Sequence, residues 1–263
     1  MSDAAQQPDR IHIVIPAFNE AATIGEIVRQ CQAVIGSPCI IVVDDGSRDG
    51  TALIAERNGA RVLRHPDNQG KGRSLMDGMR VALADGAAAA ATLDGDGQHR
   101  PQDLPRLLKC SQGWPEHIVM GSRRMSSKAA PRTRRIANRV ADFWVSWAAR
   151  HPIDDSQSGF RVYPRRVMRL IAERPSLAHG FAFESEILIE AGRVGILTVA
   201  VDIPTIYGDV LQRRSHFQPV ADTTKIVLMV GAKLLAWKMD PTGLWRSLTL
   251  QRLHDTSRHA AVD

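Results

Sequence analysis

The chain has 263 residues, of which 44% are hydrophobic and 24% are charged, and its formal net charge is +6. The composition is ordinary for a globular protein, and the chain is long enough to bury a hydrophobic core. Neither a disulfide framework nor a structural metal is therefore needed. The positive charge favours an anionic partner, such as a nucleotide, a lipid phosphate or nucleic acid.

The chain carries no signal for export or for insertion into a membrane. Its three cysteines (Cys31, Cys39 and Cys110) are odd in number and form no CxxC pair, which favours a reduced, cytosolic compartment. Residues 1–10 lack the basic start and apolar run of a secretory signal. The longest apolar run near the end, 226–237, contains Lys233 and is shorter than the roughly 20 residues that a spanning helix needs. We therefore expect a cytoplasmic protein, soluble or at the inner face of a membrane.

Short apolar runs alternate with segments of helical periodicity through the first half of the chain. Residues 1–10 are predicted to be a flexible N-terminus. Strands are predicted at 11–15, 39–43, 60–63, 88–93 and 118–120, with helices at 21–34, from 51, and at 72–83. This alternation predicts an α/β fold with a mostly parallel sheet and helices on both faces.

The segment 123–150 has a different composition, with eight Lys or Arg residues and a single carboxylate, Asp142. Ile136, Val140, Phe143 and Trp147 recur there at helical spacing. This helix either lies at an anionic membrane surface or buries its apolar stripe and exposes a basic face, and both interpretations remain open.

Further elements are predicted beyond this helix. They are a glycine-containing loop at 156–160, helices near 164–172 and 183–191, and a strand at 196–201. A last amphipathic helix is predicted at about 221–239, within a C-terminal segment 221–263 that follows a main domain at 11–220. Its apolar residues from 228 to 237 favour packing over a lipid groove.

Polar side chains follow several of the predicted strands at the points where these strands end. Glu20, Asp45, the pair Asp94 and Asp96, and Arg123 hold these positions. In open α/β sheets, ligands bind beyond the carboxyl ends of the strands. We therefore expect these side chains to meet in one cleft.

The turn Asp94-Gly95-Asp96-Gly97-Gln98 leaves a predicted core strand and carries two carboxylates two residues apart. Both can reach one hard divalent ion, and such ions commonly bridge protein oxygens to phosphates. An isolated pair of this kind is more often a solvated turn. Its place at the end of a core strand favours a Mg²⁺ or Mn²⁺ site, to which Gln98 adds a neutral oxygen.

Two further loops are candidates for nucleotide binding. A carboxylate of Asp44-Asp45-Gly46-Ser47 can accept hydrogen bonds from a base or a ribose. The glycine-rich loop 68–72, which contains Lys71, can attract phosphate through its backbone amides. An ordinary loop at the start of a helix explains the second pattern equally well.

Seven segments in order resemble the motifs of the family 2 glycosyltransferases of GT-A fold. They are IVIPAFNE (13–20), VVDDGSRDGT (42–51), NQGKG (68–72), LDGDGQH (93–99), GSRR (121–124), DSQSGFR (155–161) and VDIPTIYG (201–208). Within that family, the chain is most similar to the dolichol-phosphate mannose synthases and related polyprenyl-phosphate glycosyltransferases. The resemblance implies a GT-A domain that covers roughly residues 11–220.

The resemblance also implies roles for individual residues. Nucleotide-sugar binding would involve Pro16, Phe18, Glu20, Val43, Asp45, Lys71, Asp94, Gly95, Asp96 and Arg123. Asp94, Asp96 and Gln98 would bind Mg²⁺ or Mn²⁺. Asp155, Ser158 and Gly159 would line the acceptor side. If the acceptor is a lipid phosphate, either Arg213 and Arg214 or the arginine cluster at 132–139 is expected to position it. The chain departs from the family pattern at Met125-Ser126-Ser127 and at 212–217, so the sugar and acceptor are less closely defined than the reaction.

The implied reaction moves a sugar from GDP-mannose or a UDP-hexose to a polyprenyl or lipid phosphate, with inversion of the anomeric centre. No nucleic acid is expected among the partners. A phosphate acceptor is already anionic at neutral pH and needs no general base. A lipid or glycan hydroxyl would need one, and Asp155, then Asp154, would be the candidates. The alternative to an enzyme is a basic protein that binds a membrane or nucleic acid and has no catalytic activity.

Overall fold

The computed structural model describes residues 11–36, 39–123, 132–174, 182–204 and 219–255. Within these ranges, eight strands form one sheet. The strands are β1 (Ile11–Ala17), β2 (Cys39–Asp44), β3 (Arg61–Arg64), β4 (Ala89–Thr92), β5 (Ile118–Ser122), β6 (Arg161–Pro164), β7 (Thr198–Asp202) and β8 (Leu253–His254). The helices are α1 (Ile24–Ile35), α2 (Thr51–Arg57), α3 (Lys71–Ala84), α4 (Leu104–Gly113), α5 (Arg132–Ala149), α6 (Arg165–Glu173), α7 (Ala182–Arg193), α8 (Pro219–Ala236) and α9 (Pro241–Thr249).

The strands lie in the order β3-β2-β1-β4-β6-β5-β7-β8. All of them point in one direction except β6, which is antiparallel to both of its neighbours, β4 and β5. The predicted, mostly parallel sheet is therefore confirmed. Strand β6 was not predicted, because its four residues give too short a pattern and end in Pro164 at the start of a helix.

Alternating side chains of the central strands build a core layer on each face of the sheet. Ile13 and Ile15 of β1 pack with α1, α2 and α4 on one face. Val14 points the other way and packs with the layer of α3, α5, α6, α7 and α8. Both faces are covered by helices, which is why β1 and β2 read as continuous apolar runs.

The C-terminal part of the chain packs onto the same sheet. Helix α8 packs on α5 and α7, and β8 extends the sheet next to β7. The three cysteine thiols are free. Among the described helices, none has the length and apolar character needed to cross a bilayer. Residues 1–10, predicted to be flexible, lie outside the described ranges.

Candidate active site

The predicted site residues come from loops along one edge of the sheet. Pro16 of β1 lies beside Val43 of β2, Asp94 follows β4, and Arg123 follows β5. Because β6 runs in the opposite direction, the loop that precedes it also lies at this edge. The antiparallel strand therefore brings the loop 154–160 to the ends of its neighbours.

Side chains of the loop after β2 hold the loop after β1 in place. The Oγ of Ser47 accepts a hydrogen bond from the backbone N–H of Asn19 at 2.8 Å. Thr51 Oγ1 accepts one from the N–H of Glu20 at 2.9 Å. Asn19 has a φ of 56°, a left-handed conformation that asparagine adopts more readily than most residues. These contacts fix the half-buried Phe18 and the buried Glu20 at the sheet edge.

Asp45 shapes the loop that leads into α3. Its Oδ1 accepts the backbone N–H of Gln69 at 2.9 Å and lies 2.7 Å from His65 Nδ1. Its Oδ2 accepts the N–H of Gly70 at 2.8 Å. Both carboxylate oxygens are thus engaged by the protein, which leaves Asp45 limited capacity to bind a base or ribose. Its described contacts instead determine where α3 begins.

Lys71, the first residue of α3, is shared between two carboxylates. Its ammonium lies 2.7 Å from Asp94 Oδ1 and 3.0 Å from Glu184 Oε2. On the other side of Asp94, Nε2 of the buried His99 is 3.6 Å from Oδ2. The first carboxylate of the predicted metal turn is therefore placed between two nitrogen-bearing side chains.

Gly159 brings the loop before β6 against this cluster. A Cβ atom at Gly159 would lie 2.9 Å from Glu184 Oε1, 3.0 Å from Lys71 Nζ and 3.1 Å from Asp94 Oδ1. Thr92 Oγ1 donates a hydrogen bond to the Gly159 carbonyl at 2.8 Å and fixes this approach. The loop before β6 and the turn after β4 thus meet directly, and a side chain at position 159 would have to displace the charged groups of this cluster.

Gly95 brings the same turn against the end of β1. A Cβ atom there would lie 3.1 Å from the Pro16 carbonyl oxygen and 3.5 Å from Glu20 Cγ. Thr23 Oγ1 donates to the Gly95 carbonyl at 2.6 Å and also contacts Glu20 Oε2 at 3.2 Å. The structure therefore places Glu20 beside the turn, as expected from the strand ends.

The two carboxylates of this turn have opposite pKa shifts. Burial opposes the ionisation of Asp94, but Lys71 and His99 outweigh it and lower the pKa of Asp94. Burial and the charge of Asp94 raise the pKa of Asp96, whose Oδ1 accepts the N–H of Gln98 at 2.9 Å. The negative charge of the two carboxylates is therefore only partly balanced by Lys71 and His99. Carboxylate oxygens with unbalanced negative charge are ligands that suit a hard divalent cation. Asp94, Asp96 and the exposed Gln98 therefore fit Mg²⁺ or Mn²⁺.

Among the described residues, the acids expected to meet in one cleft do not form a group of three close enough to share one ion. Within the described ranges, the group of three His, Cys, Asp or Glu side chains close enough to share an ion is His12, Cys39 and Asp85. It lies at the opposite edge of the sheet, where Arg61 pairs with Asp85 at 2.7 Å. At the predicted site, Asp45 is bound by the loop 65–70, and the predicted metal ligands remain Asp94, Asp96 and Gln98.

Arg123 and Asp155 form an ion pair with two contacts. The guanidinium Nε and Nη2 donate to Oδ2 and Oδ1, each at 2.8 Å. Burial opposes ionisation of Asp155, but Arg123 outweighs it and lowers the pKa of Asp155. Asp154 in turn pairs with Arg252 and His254. Because both candidate bases are bound by basic side chains, neither is well suited to remove a proton.

Arg161 organises the loop before β6 from a fully buried position. Its guanidinium donates to the carbonyls of Ser156 at 2.8 Å, Ser158 at 2.7 Å and Glu184 at 2.7 Å. The hydroxyl of Ser158 is buried without a hydrogen-bond partner among the described residues. Arg161 therefore holds the backbone while the Ser158 hydroxyl keeps its hydrogen-bonding capacity.

Sequence reasoning missed three charged residues of this region: Glu184, Arg161 and the role of Asp142. An acid in the first turn of a helix, as Glu184 is, has an ordinary explanation in the helix dipole and gave no signal. Asp142 of α5 accepts the N–H of Ser156 at 2.8 Å. Burial and the charge of Asp155 raise the pKa of Asp142 to about 6. The predicted acceptor residues Arg213 and Arg214 lie outside the described ranges.

The amino-acid sequence is similar to those of several curated proteins. An uncharacterized protein of Methanocaldococcus jannaschii is 35% identical over 76% of this chain and 82% of its own length. The UDP-N-acetylglucosamine–dolichyl-phosphate N-acetylglucosaminyltransferase of Methanococcus voltae is 29% identical, over 75% of this chain and 86% of that protein. The undecaprenyl-phosphate mannosyltransferase of Micrococcus luteus is 26% identical, over 74% and 82%.

The fold is similar to that of a solved structure, and the amino-acid sequence matches a family model. Glucosyl-3-phosphoglycerate synthase from Mycobacterium tuberculosis, crystallised with Mn²⁺, UDP and glucosyl-3-phosphoglycerate, superposes with a TM-score of 0.62. The match covers 89% of this chain and 81% of that chain at 22% identity, and it identifies the fold as GT-A. The model named glycosyl transferase family 2 matches residues 12–171. The chain therefore belongs to glycosyl transferase family 2.

Proposed function

We propose that this protein transfers a hexose or N-acetylhexosamine from a UDP- or GDP-linked donor to a polyprenyl phosphate. The contact of Gly159 with the cluster of Asp94, Lys71 and Glu184 carries this proposal, because it joins the turn suited to a donor diphosphate to the loop expected on the acceptor side. The names of the two characterised relatives, which specify dolichyl phosphate and undecaprenyl phosphate, support the acceptor class.

The donor diphosphate would bind at the turn after β4. Asp94, Asp96 and Gln98 would hold Mg²⁺ or Mn²⁺, which when bound supplies positive charge to the leaving nucleotide diphosphate. Lys71 and Arg123 lie at the same edge, and each is bound by carboxylates. A donor diphosphate would compete with those carboxylates and receive charge-assisted hydrogen bonds from the two cations. Pro16, Phe18, Glu20 and Val43 would border the nucleoside.

A phosphate acceptor agrees with the lack of a free base among the expected candidates. A phosphate monoester is anionic at neutral pH and attacks without losing a proton to the protein. Asp155 is bound by Arg123, and Asp154 by Arg252 and His254. This pairing favours a lipid phosphate over a sugar hydroxyl. One displacement in line with the leaving group then inverts the anomeric carbon.

The acceptor also implies a place of action. A polyprenyl phosphate has a membrane-embedded chain and a headgroup at the surface. We therefore propose that the protein works in the cytoplasm, at the inner face of the membrane.

Transfer to lipid tests this function directly. The full chain is incubated with undecaprenyl or dolichyl phosphate in detergent and with UDP-glucose, UDP-N-acetylglucosamine or GDP-mannose, with Mg²⁺, Mn²⁺ or chelator. Mass spectrometry of the lipid fraction should detect a glycosyl phosphate lipid with one donor, and chelator should abolish it. Asp96→Ala should lower turnover on the order of a thousandfold, the several kcal/mol that a Lewis acid contributes.

Asp67→Asn is the matched control, because Asp67 is an exposed carboxylate on the loop before α3. It should leave turnover unchanged. Near-normal turnover of Asp96→Ala, with metal still required, would remove Asp96 from the metal site. Absence of transfer with every pair of donor and lipid phosphate would contradict the proposed acceptor class.

A further inference from the structure

Helix α8 carries apolar side chains on two opposite faces. Val230 and Leu234 are fully buried in the core. Leu228 and Leu235, seven residues apart, are 68% and 70% exposed, and Met239 just beyond the helix is 40% exposed. This spacing puts Leu228 and Leu235 on one side of the helix. The outer side of α8 is therefore an apolar stripe that the described protein leaves open.

Helix α9 continues this apolar character. Trp245 and Leu248, three residues apart, are 64% and 67% exposed, and Leu250 follows. The turn between α8 and α9 is held by Asp240, whose carboxylate accepts hydrogen bonds from Arg150 and Arg193. The exposed apolar residues of α8 and α9 therefore lie on either side of a turn that these hydrogen bonds hold in place.

The charges around these residues have one sign. Lys225, Lys238 and Arg246 are exposed on the same two helices and the turn between them. Between residues 224 and 250 the sequence contains a single acid, Asp240, which is buried and paired with Arg150. Exposed Leu and Trp with flanking cations are typical of helices that lie in the interface of an anionic bilayer.

Helix α5 connects this region to the candidate active site. It packs against both α8 and α9. Ile136, Val140 and Phe143, spaced four and three residues apart, are 63%, 42% and 43% exposed. Asp142 of the same helix accepts the N–H of Ser156 in the loop before β6. One helix thus contributes exposed apolar side chains and also contacts the loop expected to receive the acceptor.

We propose that the outer faces of α8 and α9, with the exposed residues of α5, form a docking surface for an anionic membrane. The surface would present the acceptor-side loop to the bilayer, a consequence that rests on the proposed lipid-phosphate acceptor. A second copy of the chain is a poorer occupant, because a two-fold interface would place two surfaces of the same positive charge against each other, each with Lys225, Lys238 and Arg246.

Vesicle binding of the full chain, without donor, tests this surface. Sedimentation is measured with pure phosphatidylcholine vesicles and with equal parts of phosphatidylcholine and phosphatidylglycerol. The wild type should bind the anionic vesicles, and high salt should weaken binding. The triple variant Leu235→Ser/Trp245→Ser/Leu248→Ser should lose at least about tenfold in partitioning, because binding scales with buried apolar area.

The double variant Leu53→Ser/Val194→Ser is the matched control, since these apolar residues are 49% and 39% exposed elsewhere on the protein. It should bind like the wild type, and both variants should keep the wild-type melting temperature. Unchanged vesicle binding of the triple variant, or an equal loss in the control, would overturn the proposal. A wild-type dimer that the triple variant converts to a monomer would also overturn it and identify a second copy as the occupant.

A second assay separates this proposal from the proposed function. With a short-chain, water-soluble prenyl phosphate, the triple variant should turn over at the wild-type rate, whereas transfer to long-chain lipid in anionic vesicles should fall about tenfold. Vesicle binding that is lost in the triple variant supports the docking surface even if the wild type transfers no sugar to either acceptor. That last result would contradict the proposed function alone.

Discussion

Lys71 is a single cation shared by two acids from distant parts of the chain. Asp94 follows β4, Glu184 lies in the first turn of α7, and the ammonium contacts both within 3.0 Å. The side chains of Lys71 and Asp94 are 19% and 24% exposed, so water screens the cluster only in part. Removing the cation would leave two neighbouring carboxylates to repel each other in a largely enclosed site.

We therefore expect Lys71→Met to lower the free energy of unfolding by about 3 kcal/mol at pH 7, the usual cost of breaking a buried ion pair. Urea denaturation measures it. Lys109→Met, at an exposed position of α4, is the control and should change stability by less than about 0.5 kcal/mol. Equal stability of the two variants would show that the shared ammonium contributes little.

Asp142 should make stability depend on pH. Its pKa of about 6 in the folded protein lies above the ordinary value of 3.8, because burial and Asp155 disfavour its charge. At pH values between 3.8 and about 6, Asp142 therefore takes up a proton when the protein folds. Ionised Asp142 destabilises the fold above about pH 6, and this cost disappears as the pH falls towards 4.

The neutral isostere Asp142→Asn should raise the free energy of unfolding at pH 8 by about 2 kcal/mol, and by much less at pH 4. Its side-chain carbonyl can still accept the N–H of Ser156. Urea denaturation at both pH values checks this, with the exposed Asp67→Asn as the control. A gain of the same size at pH 4 and pH 8 would mean that the charge of Asp142 is not its cause.

Single residues could be predicted where their type and their strand-end position pointed to the same chemistry. Asp94 and Asp96 lie just beyond β4 as expected, and their role as metal ligands stays a prediction. For Asp45 the position was right, but its two oxygens bind the loop 65–70, a contact that depends on where that loop folds. Arg123 and Asp155 were predicted separately, and nothing in the sequence indicated that they pair.

At the scale of secondary structure, the turn between α8 and α9 is held by the side chain of one residue, Asp240. Asp240 has a φ of 25°, and its Oδ1 accepts the N–H of Gly243 as the N-cap of α9. Hydrogen bonding to Arg150 outweighs burial and lowers the pKa of Asp240. Its stabilising effect is therefore present above the ordinary pKa of 3.8 and lost as the pH falls through the lower, folded value.

We expect Asp240→Ala to lower the free energy of unfolding by about 2 kcal/mol at pH 7, by loss of the cap and of the ion pairs. Asp240→Asn should cost about half as much, because asparagine keeps a cap acceptor and tolerates positive φ. Guanidinium denaturation at pH 7 and near pH 3 should show the difference from wild type shrinking at the lower pH. An equal loss of stability at both pH values would show that the negative charge of Asp240 does not contribute to its stabilising effect.

Periodicity predicted the positions of most helices and strands, although it missed α4, α9, β6 and β8, and it did not predict how each helix face is used. For α8, packing was favoured over a lipid-facing role, and the structure has Val230 buried and Leu228 exposed. For α5, a buried stripe was one of two open interpretations, yet Ile136 is 63% exposed while Trp147 is 9% exposed. A helix with apolar residues on two faces has no single stripe, so its periodicity cannot tell which side faces the core.

At the scale of the whole molecule, stability depends on how closely the helical layers approach the sheet. Gly78 of α3 lies directly over Val14 and Val43, and a Cβ atom there would come within 3.1 Å of Val43 Cγ2 and still closer to Val14. The interior has no space for an added methyl group at this point. Glycine is therefore needed inside a helix in which alanine would otherwise be preferred.

Gly78→Ala should destabilise the protein by about 2 kcal/mol through overpacking, despite the better helix propensity of alanine. Gly231→Ala in α8 is the matched control, because no atom of the described residues, apart from its own stretch of helix, lies within 4 Å of its added Cβ. That variant should stabilise the protein by about 0.5 kcal/mol. Thermal and urea unfolding compare the two, and stabilisation by both would mean that α3 can move away from the sheet.

The alternation of strand and helix was sufficient to predict the fold class, since each element had to bury one face. The sheet order from β4 onward could not be predicted in this way. The four-residue β6 and two-residue β8 acquire their places from tertiary pairing rather than from any pattern of their own.

The reversed strand β6 also divides the molecule in a way that protein engineers can use. Met120 of β5 and Arg161 of β6 are paired neighbours, although 40 residues of chain separate them. The intervening segment leaves the sheet and returns to it at almost the same point, while the turn after β4 and the loops after β1 and β2 lie outside it. Under the proposed function, chimeras that exchange 124–160 between related enzymes keep Arg123 with the donor side, so they should alter the acceptor preference set by the loop 154–160 while donor choice is retained.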